Sequence, residues 1–286
     1  MNDFWQKANH SWTSDSTRYI LTPSKKNQEM FYFIQEIGHF KAFQPYYTER
    51  EHLASYLMKY TLSGQGRLHY QGQTYVLEKG DVFLIDCQHY QYYETISDEP
   101  WEMAWVHFHG GASPLFYQDY LKNGGQTFKT RTKRIGRIME NLLQLQVNRN
   151  ARTDFTCSLL LHELLNELVI QKNELDFLET DVPSYIFALQ TFLDDHFQEA
   201  ITLDSLEKSF MINKYQLNKE FSKYIGTPPI EYLIAKRMNL AKDLLRYTTK
   251  PIKEIAMDVG IENTPYFSRL FKIKTGVTPN TYRKNG

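Results

Sequence analysis

At 286 residues, 42% hydrophobic and 23% charged, the chain is long enough for two domains with separate cores and too apolar to be disordered throughout. No apolar run approaches the roughly 20 residues that span a bilayer, and residues 1–20 lack a signal-peptide core, so a cytosolic protein is expected. Cys87 and Cys157 lie far apart and form no CxxC pair, which fits free thiols and excludes a disulfide framework. The net charge of zero hides an asymmetry: from Pro183 onward 15 Lys and Arg face 11 Asp and Glu, against 18 and 22 before it. A basic C-terminal third is the electrostatic footprint of nucleic-acid binding, and it is modest here.

Residues 1–18 are polar and patternless, the expectation being a loosely ordered arm. Residues 19–128 carry short β-type runs broken by turn residues. Leu53–Leu62 ends at Ser63-Gly-Gln-Gly66; Arg67–Tyr70 leads to Gln71-Gly72; Gln73–Leu77 precedes Lys79-Gly80-Asp81 and the run Val82–Ile85. Strands at such intervals predict a sandwich or barrel. Of the 42 aromatic residues, 28 precede Pro183, and an aromatic-lined barrel suits a small ligand. Alternation along a strand puts Trp101, Met103, Trp105 and His107 on one face. They are equally readable as barrel core.

The order G-x-G-x-L-x-Y-x-G-x-x-Y-x-L-x-x-G-D-V-F-L-I, from Gly64 to Ile85, resembles the cupin-type sensor domain that precedes AraC-type DNA-binding domains. Pro100–Gly110 resembles the strand that follows in sugar-responsive members. That resemblance implies an effector site in which Trp105 stacks on a sugar, Tyr92 supplies a hydroxyl and Arg50 a guanidinium, with Trp101, Met103 and His107 beside them. A metal is not expected. His107-Phe-His109 has i,i+2 spacing, but His52, His69 and His89 do not complete the usual cupin pattern with a carboxylate. No cofactor is expected either: the chain lacks a phosphate loop and a nucleophile elbow, and His162-Glu163 lacks the second His of a zincin.

Between residues 129 and 172 the period becomes helical. Ile135, Ile138, Met139, Leu142, Leu143 and Gln146 trace one helix face; Phe155, Leu159, Leu161, Leu164, Leu165 and Leu168 trace a second, with Asp154 as its cap. The two helices either close the barrel or form a dimerisation face, the latter being implied by resemblance to AraC-type sensors. Residues 173–183 are acidic, end in proline and read as an inter-domain linker.

Residues 184–286 contain one unit twice. Ile201–Phe210, capped near Thr202, precedes a second helix from Asn213 to Tyr224 that ends at Gly226. Pro228-Pro229 opens a long helix to Tyr247, with Leu233, Met238, Ala241 and Leu245 among its inward positions. Then Ile252, Ile255 and Ala256 mark a short helix, Gly260 a tight turn, and Asn263-Thr264-Pro265 the start of another helix, with Phe267, Leu270 and Phe271 inward. Spacing alone leaves a helix-turn-helix and an ordinary helical hairpin with a solvated basic face equally open.

The run I-x-x-I-A-x-x-V-G-I-x-x-x-x-Y-F-S-R-L-F-K-x-x-x-G-x-T-P, from Ile252 to Pro279, resembles the signature of AraC/XylS-type transcription regulators. Ile261 departs from it, the family usually having Phe; in the first copy Glu207 replaces a small Ala and Lys219 an Arg. The expected fold is mixed: an N-terminal cupin-like β-barrel with a helical dimerisation region, then an all-α domain with two helix-turn-helix motifs. The outward positions Tyr215, Asn218 and Lys219, and Thr264, Pro265, Tyr266, Ser268 and Arg269, are expected to read base edges. Asn213, Lys214, Lys250, Lys253, Lys272 and the helix N-termini are expected to hold phosphates. The resemblance implies a dimeric activator of carbohydrate genes that binds promoter DNA and a sugar-like effector and touches RNA polymerase. Two alternatives remain: a cupin enzyme resembling a sugar isomerase, and a regulator whose barrel only dimerises, betrayed by an interior filled with its own aromatics.

Overall fold

The computed structural model describes residues 3–175 and 181–285. Contacts divide the chain into Met1–Asp176 and Phe177–Gly286. Five residues of the expected linker, 176–180, lie outside the described residues.

The first unit is built from two antiparallel sheets. One has the order β1 (Trp5–Asn9), β4 (Tyr47–Glu51), β9 (Gln91–Thr95), β6 (Gly66–Tyr70), β7 (Gln73–Leu77). The other runs β11 (Thr127–Lys129), β8 (Asp81–Asp86), β5 (Tyr56–Ser63), β10 (Trp101–Gly110), β3 (Tyr32–Ala42), β2 (Thr17–Ile20). Burial alternates strictly in β4, β6 and β9, the pattern of a sheet wet on one side. By contrast β5, β8 and β10 are buried in continuous runs, because both their faces are covered. Leu57, Phe83, Ile85, Trp101, Met103 and Trp105 pack inside the sandwich with Leu68, Tyr70 and Tyr93 of the other sheet. Met58, Val82, Leu84, Val106 and Phe108 face the opposite way, onto helices. This jelly-roll-like arrangement is the cupin-like plan expected.

Those helices are α2 (Ser113–Tyr120), α3 (Arg134–Val147) and α4 (Thr153–Lys172), after a short α1 (Lys25–Met30). Ile135, Ile138, Met139 and Leu142 of α3, and Leu161, Leu164, Leu165 and Leu168 of α4, are buried against the sheet. Phe155 and Leu159, assigned to the same inward face, are instead 57% and 66% exposed. Asp154 is not the cap of α4: it sits in the first turn and accepts from Asn27 and Arg149. Nor are residues 5–9 a loose arm. They pair with β4 in the register Trp5↔Glu51 to Asn9↔Tyr47, and Trp12 stacks on Phe40 at 4.4 Å.

The second unit is helical: α5 (Ser184–Asp195), α6 (Leu203–Phe210), α7 (Lys214–Ile225), α8 (Pro229–Tyr247), α9 (Ile252–Asp258), α10 (Thr264–Thr275) and α11 (Pro279–Asn285). It has two cores. Ile186, Leu189, Leu206, Leu217, Phe221 and Leu233 make the first; Met238, Ala241, Leu245, Ile255, Phe267 and Phe271 make the second. Helix α8 supplies residues to both, so one rod ties α6–α7 to α9–α10. Thr202 caps α6 in a reciprocal capping box with Ser205, and Asn213 and Asn263 cap α7 and α10 by accepting from Tyr215 N and Tyr266 N. Gly226 and Gly276 end α7 and α10 in the left-handed conformation. Helices α5 and α11 were not anticipated. Among the described residues, no helix is long and apolar enough to cross a membrane.

Candidate DNA interface and ligand cavity

In the second unit each helix pair ends on an outward, partly basic face. On α7, Leu217 is buried while Tyr215 is 77% exposed, Lys219 exposed and Asn218 half-buried. On α10, Phe267 and Phe271 are buried; Pro265, Tyr266, Arg269 and Lys272 are exposed, and Thr264 and Ser268 half-buried. Asn263, Pro265, Tyr266 and Arg269 border one shallow hollow, with the Arg269 guanidinium 5.7 Å from the Tyr266 ring centre. Pro265 lies in the first turn of α10, where a missing N–H costs nothing. A proline is therefore tolerated at this outward position.

The groups expected to hold phosphates are partly engaged within the protein. Lys214 Nζ lies 2.7 Å from Asp204, and Lys250 Nζ 2.7 Å from Asp258. Both pairs are largely exposed, so each can be exchanged for a phosphate at little cost. The amides at the start of α7 are taken: Lys214 N donates to Glu207 Oε1 at 3.3 Å and Tyr215 N to Asn213 Oδ1 at 2.9 Å. Glu207 is the residue that replaces a small Ala, and it occupies the anion-binding end of that helix. Lys253 is exposed.

In the first unit the expected effector residues divide between two places. Arg50, Trp105 and His107 border a cavity of about 30 Å³ inside the sandwich, together with Phe40, Tyr46, Lys59 and Tyr93. This is room for a couple of waters, not a sugar ring. Trp101 and Met103 are fully buried beside it; Trp101 lies flat on Gly66, where a Cβ would come within 2.4 Å of the indole. Tyr92 is not inside. It faces out from β9, ring against Tyr47 and hydroxyl on Glu94 at 2.8 Å. One residue on, Tyr93 is the inward tyrosine, since successive side chains of a strand alternate.

A chain of hydrogen bonds runs through the interior. Arg50 donates from Nη2 to Tyr93 Oη at 2.8 Å and from Nη1 to His107 Nε2 at 3.0 Å, and Ser55 Oγ lies 3.0 Å from His107 Nδ1. A guanidinium can only donate, so His107 accepts through Nε2 and carries its proton on Nδ1. Burial, and then the positive charges of Arg50 and Lys59, hold the imidazole well below its usual pKa. The thiol of Cys87, also buried there, is pushed up to about 12, chiefly by burial. Next to His107 the pairing with β3 shifts by one residue, Gln35 being the extra residue on β3, and beyond it His109 lies against Phe33 and Tyr56, away from Arg50 and Ser55. No group of three metal-ligating side chains exists among the described residues.

Lys59 was missed. It is 2% exposed, with Nζ 3.6 Å from the centre of the Tyr93 ring and 5.2 Å from that of Trp101, donating to Tyr46 Oη at 3.3 Å and Met103 Sδ at 3.4 Å. Its place was readable from the same alternation that pairs Leu57 with Thr61 inward on β5. A larger groove, about 610 Å³, lies outside the sandwich between its helix-bearing face and α3, lined by Tyr60, Ala104, Arg137 and Leu143 among others.

Residues 33–169 match the AraC-like ligand binding domain, and residues 206–285 match a helix-turn-helix domain. The lactose operon transcription activator of Staphylococcus xylosus is 27% identical over 77% of this chain and 80% of its own length. The Msm operon regulatory protein of Streptococcus mutans is 25% identical over 80% and 84%. The arabinose operon regulatory protein of Escherichia coli K12 is 23% identical over 81% of each. With a ligand-binding domain ahead of paired helix-turn-helix units, the chain belongs to the AraC/XylS family of transcription regulators and is not an enzyme.

Proposed function

We propose that the protein activates genes of carbohydrate uptake or use, under the control of a small polar effector bound inside the sandwich. The observation that carries the reading is the polar cluster of Arg50, Lys59, Tyr93 and His107 in an otherwise apolar interior. A sandwich needing only to fold would fill those positions with apolar side chains. Operon control by lactose and arabinose regulators supports the carbohydrate class by likeness. Arg269 and Tyr266 on α10, and Tyr215, Asn218 and Lys219 on α7, are the base readers in this account; Lys214, Lys250, Lys253 and Lys272 hold phosphates. The exposed Phe155 and Leu159 on α4 support a homodimer formed through that helix. Such a regulator works in the cytoplasm, beside the chromosome and RNA polymerase.

A purely dimerising sandwich is the second reading, and the 30 Å³ cavity favours it. A hexose could enter only if aromatics such as Trp12 and Trp105 moved. In vitro transcription from a promoter carrying the protein's selected site separates the two. Transcripts that rise with protein and rise further with a sugar or sugar derivative support the sensor. Transcripts indifferent to every such compound support the dimerising sandwich, and transcripts that fall on adding protein contradict activation.

A further inference from the structure

Two cationic side chains lie inside the sandwich, and among the described residues neither has a carboxylate partner. Arg50 is 7% exposed and Lys59 2%. Arg50 spends its two terminal nitrogens on Tyr93 and His107, both neutral, and its Nε has no protein acceptor. Lys59 meets only a phenol, a thioether and ring faces. Trp105, which borders the same cavity, has a buried indole N–H with no acceptor. The other polar or titratable groups facing this interior are Tyr46, Thr48, Cys87, Tyr93 and His107, together with Gln6, His10, Arg18 and Glu36 at its edge. Glu36 is engaged by Arg18 at 2.8 Å. The interior therefore offers positive charge and N–H donors, and the one carboxylate near it is already paired.

We propose that the ligand of the sandwich carries an anionic group, a carboxylate or phosphate on a small polar molecule, held between Arg50, Lys59 and the indole N–H of Trp105. A neutral polyol would satisfy donors but leave both charges uncompensated in a low-dielectric site. An anion satisfies donors and charge together, and a head group of a few atoms is the size for which the cavity has room. Arg50 offers its unpartnered Nε–H and its charge to an oxyanion, and Lys59 supplies a point charge from the opposite sheet. Burial drives the Lys59 ammonium well below its usual pKa, with Arg50 adding to the fall; a bound anion opposes that fall by pairing with the ammonium and offsetting the charge of Arg50.

This deepens, and rests on, the reading of the first unit as a ligand sensor. The test is thermal unfolding of the full chain with matched compounds at constant ionic strength: glucose against gluconate, glucuronate and glucose 6-phosphate, with acetate and inorganic phosphate as bare head groups. The expected result is a rise of several degrees with the carboxylate or the phosphate members and none with glucose. The arm that responds identifies the head group. The shift should vanish in Lys59→Met and in Lys59→Gln, whose far-UV spectra report whether each still folds. Equal stabilisation by glucose, kept in both variants, overturns the anion while leaving the sensor standing. No shift with any compound overturns the anion and counts against the sensor as well.

Discussion

Lys59 and Arg269 carry opposite kinds of energetic consequence, one inside a core and one on a surface. Lys59 is nearly fully buried beside Tyr93, Trp101 and Arg50, a position where an ammonium is disfavoured. Lys59→Met is predicted to stabilise the protein by roughly 1–3 kcal/mol at neutral pH, the usual range for a buried polar group without adequate partners. The sign of its pH dependence follows from the pKa lying well below the ordinary 10.5. Between those values the unfolded chain binds the extra proton, so wild-type stability rises with pH, is greatest above 10.5, and falls as pH drops towards the folded-state value. The advantage of Lys59→Met should therefore shrink towards pH 10.5; denaturant melts across pH check it, and an advantage constant with pH would sink the idea. For Arg269→Ala the expected loss is roughly 1–3 kcal/mol of site-specific affinity, with relaxed choice at one base pair, as for a bidentate guanine contact. Lys250→Ala should weaken all sequences alike and flatten the salt dependence. Filter binding at several salt concentrations distinguishes the two. At this scale the resemblance told inward from outward only as well as its alignment: Arg50, Trp105 and His107 face inward, but Tyr92 faces out and its neighbour Tyr93 in. Lys59 escaped notice because a charged residue at an inward strand position violates the usual pattern.

Both helix-turn-helix elements need a left-handed residue at the turn, and they meet the need differently. Gly260, with φ 76°, lies where a Cβ would come within 2.4 Å of Gln198 O. Gly260→Ala must therefore strain the backbone and push the turn away from Gln198, with an expected cost of roughly 1–3 kcal/mol. The first copy has Met211 at φ 53°, 91% exposed. Met211→Gly should raise stability, by a few tenths to about 1 kcal/mol, since relief of left-handed strain outweighs the entropy of glycine. Chemical denaturation of both variants reads the two signs. The capping residues Thr202, Asn213 and Asn263 were legible because a cap is local, needing only its own side chain and the next turn. The pairing of Trp5–Asn9 with β4 was not legible, because a short, mostly polar edge strand acquires its structure from a partner about forty residues away. Phe155 and Leu159 misled for a related reason: periodicity reports which residues are apolar, not which neighbour covers them.

For the whole molecule, the division into a β sandwich and a double helix-turn-helix was readable from the change of period and from the run of signature residues after Ile252. How an effector would act across the two units was not, since coupling is a difference in ligand affinity between states and leaves no mark on one sequence. What the second unit's construction does imply is spacing. With α8 contributing to both of its cores, α7 and α10 are carried on one rod and should enter successive major grooves on one face of the DNA. Selection of binding sites from a random DNA pool by the intact protein tests this most directly. The account predicts two conserved blocks centred about 10–10.5 base pairs apart, with the block read by α10 degraded in Arg269→Ala. Sites with a single block, or no enrichment over the starting pool, would contradict it.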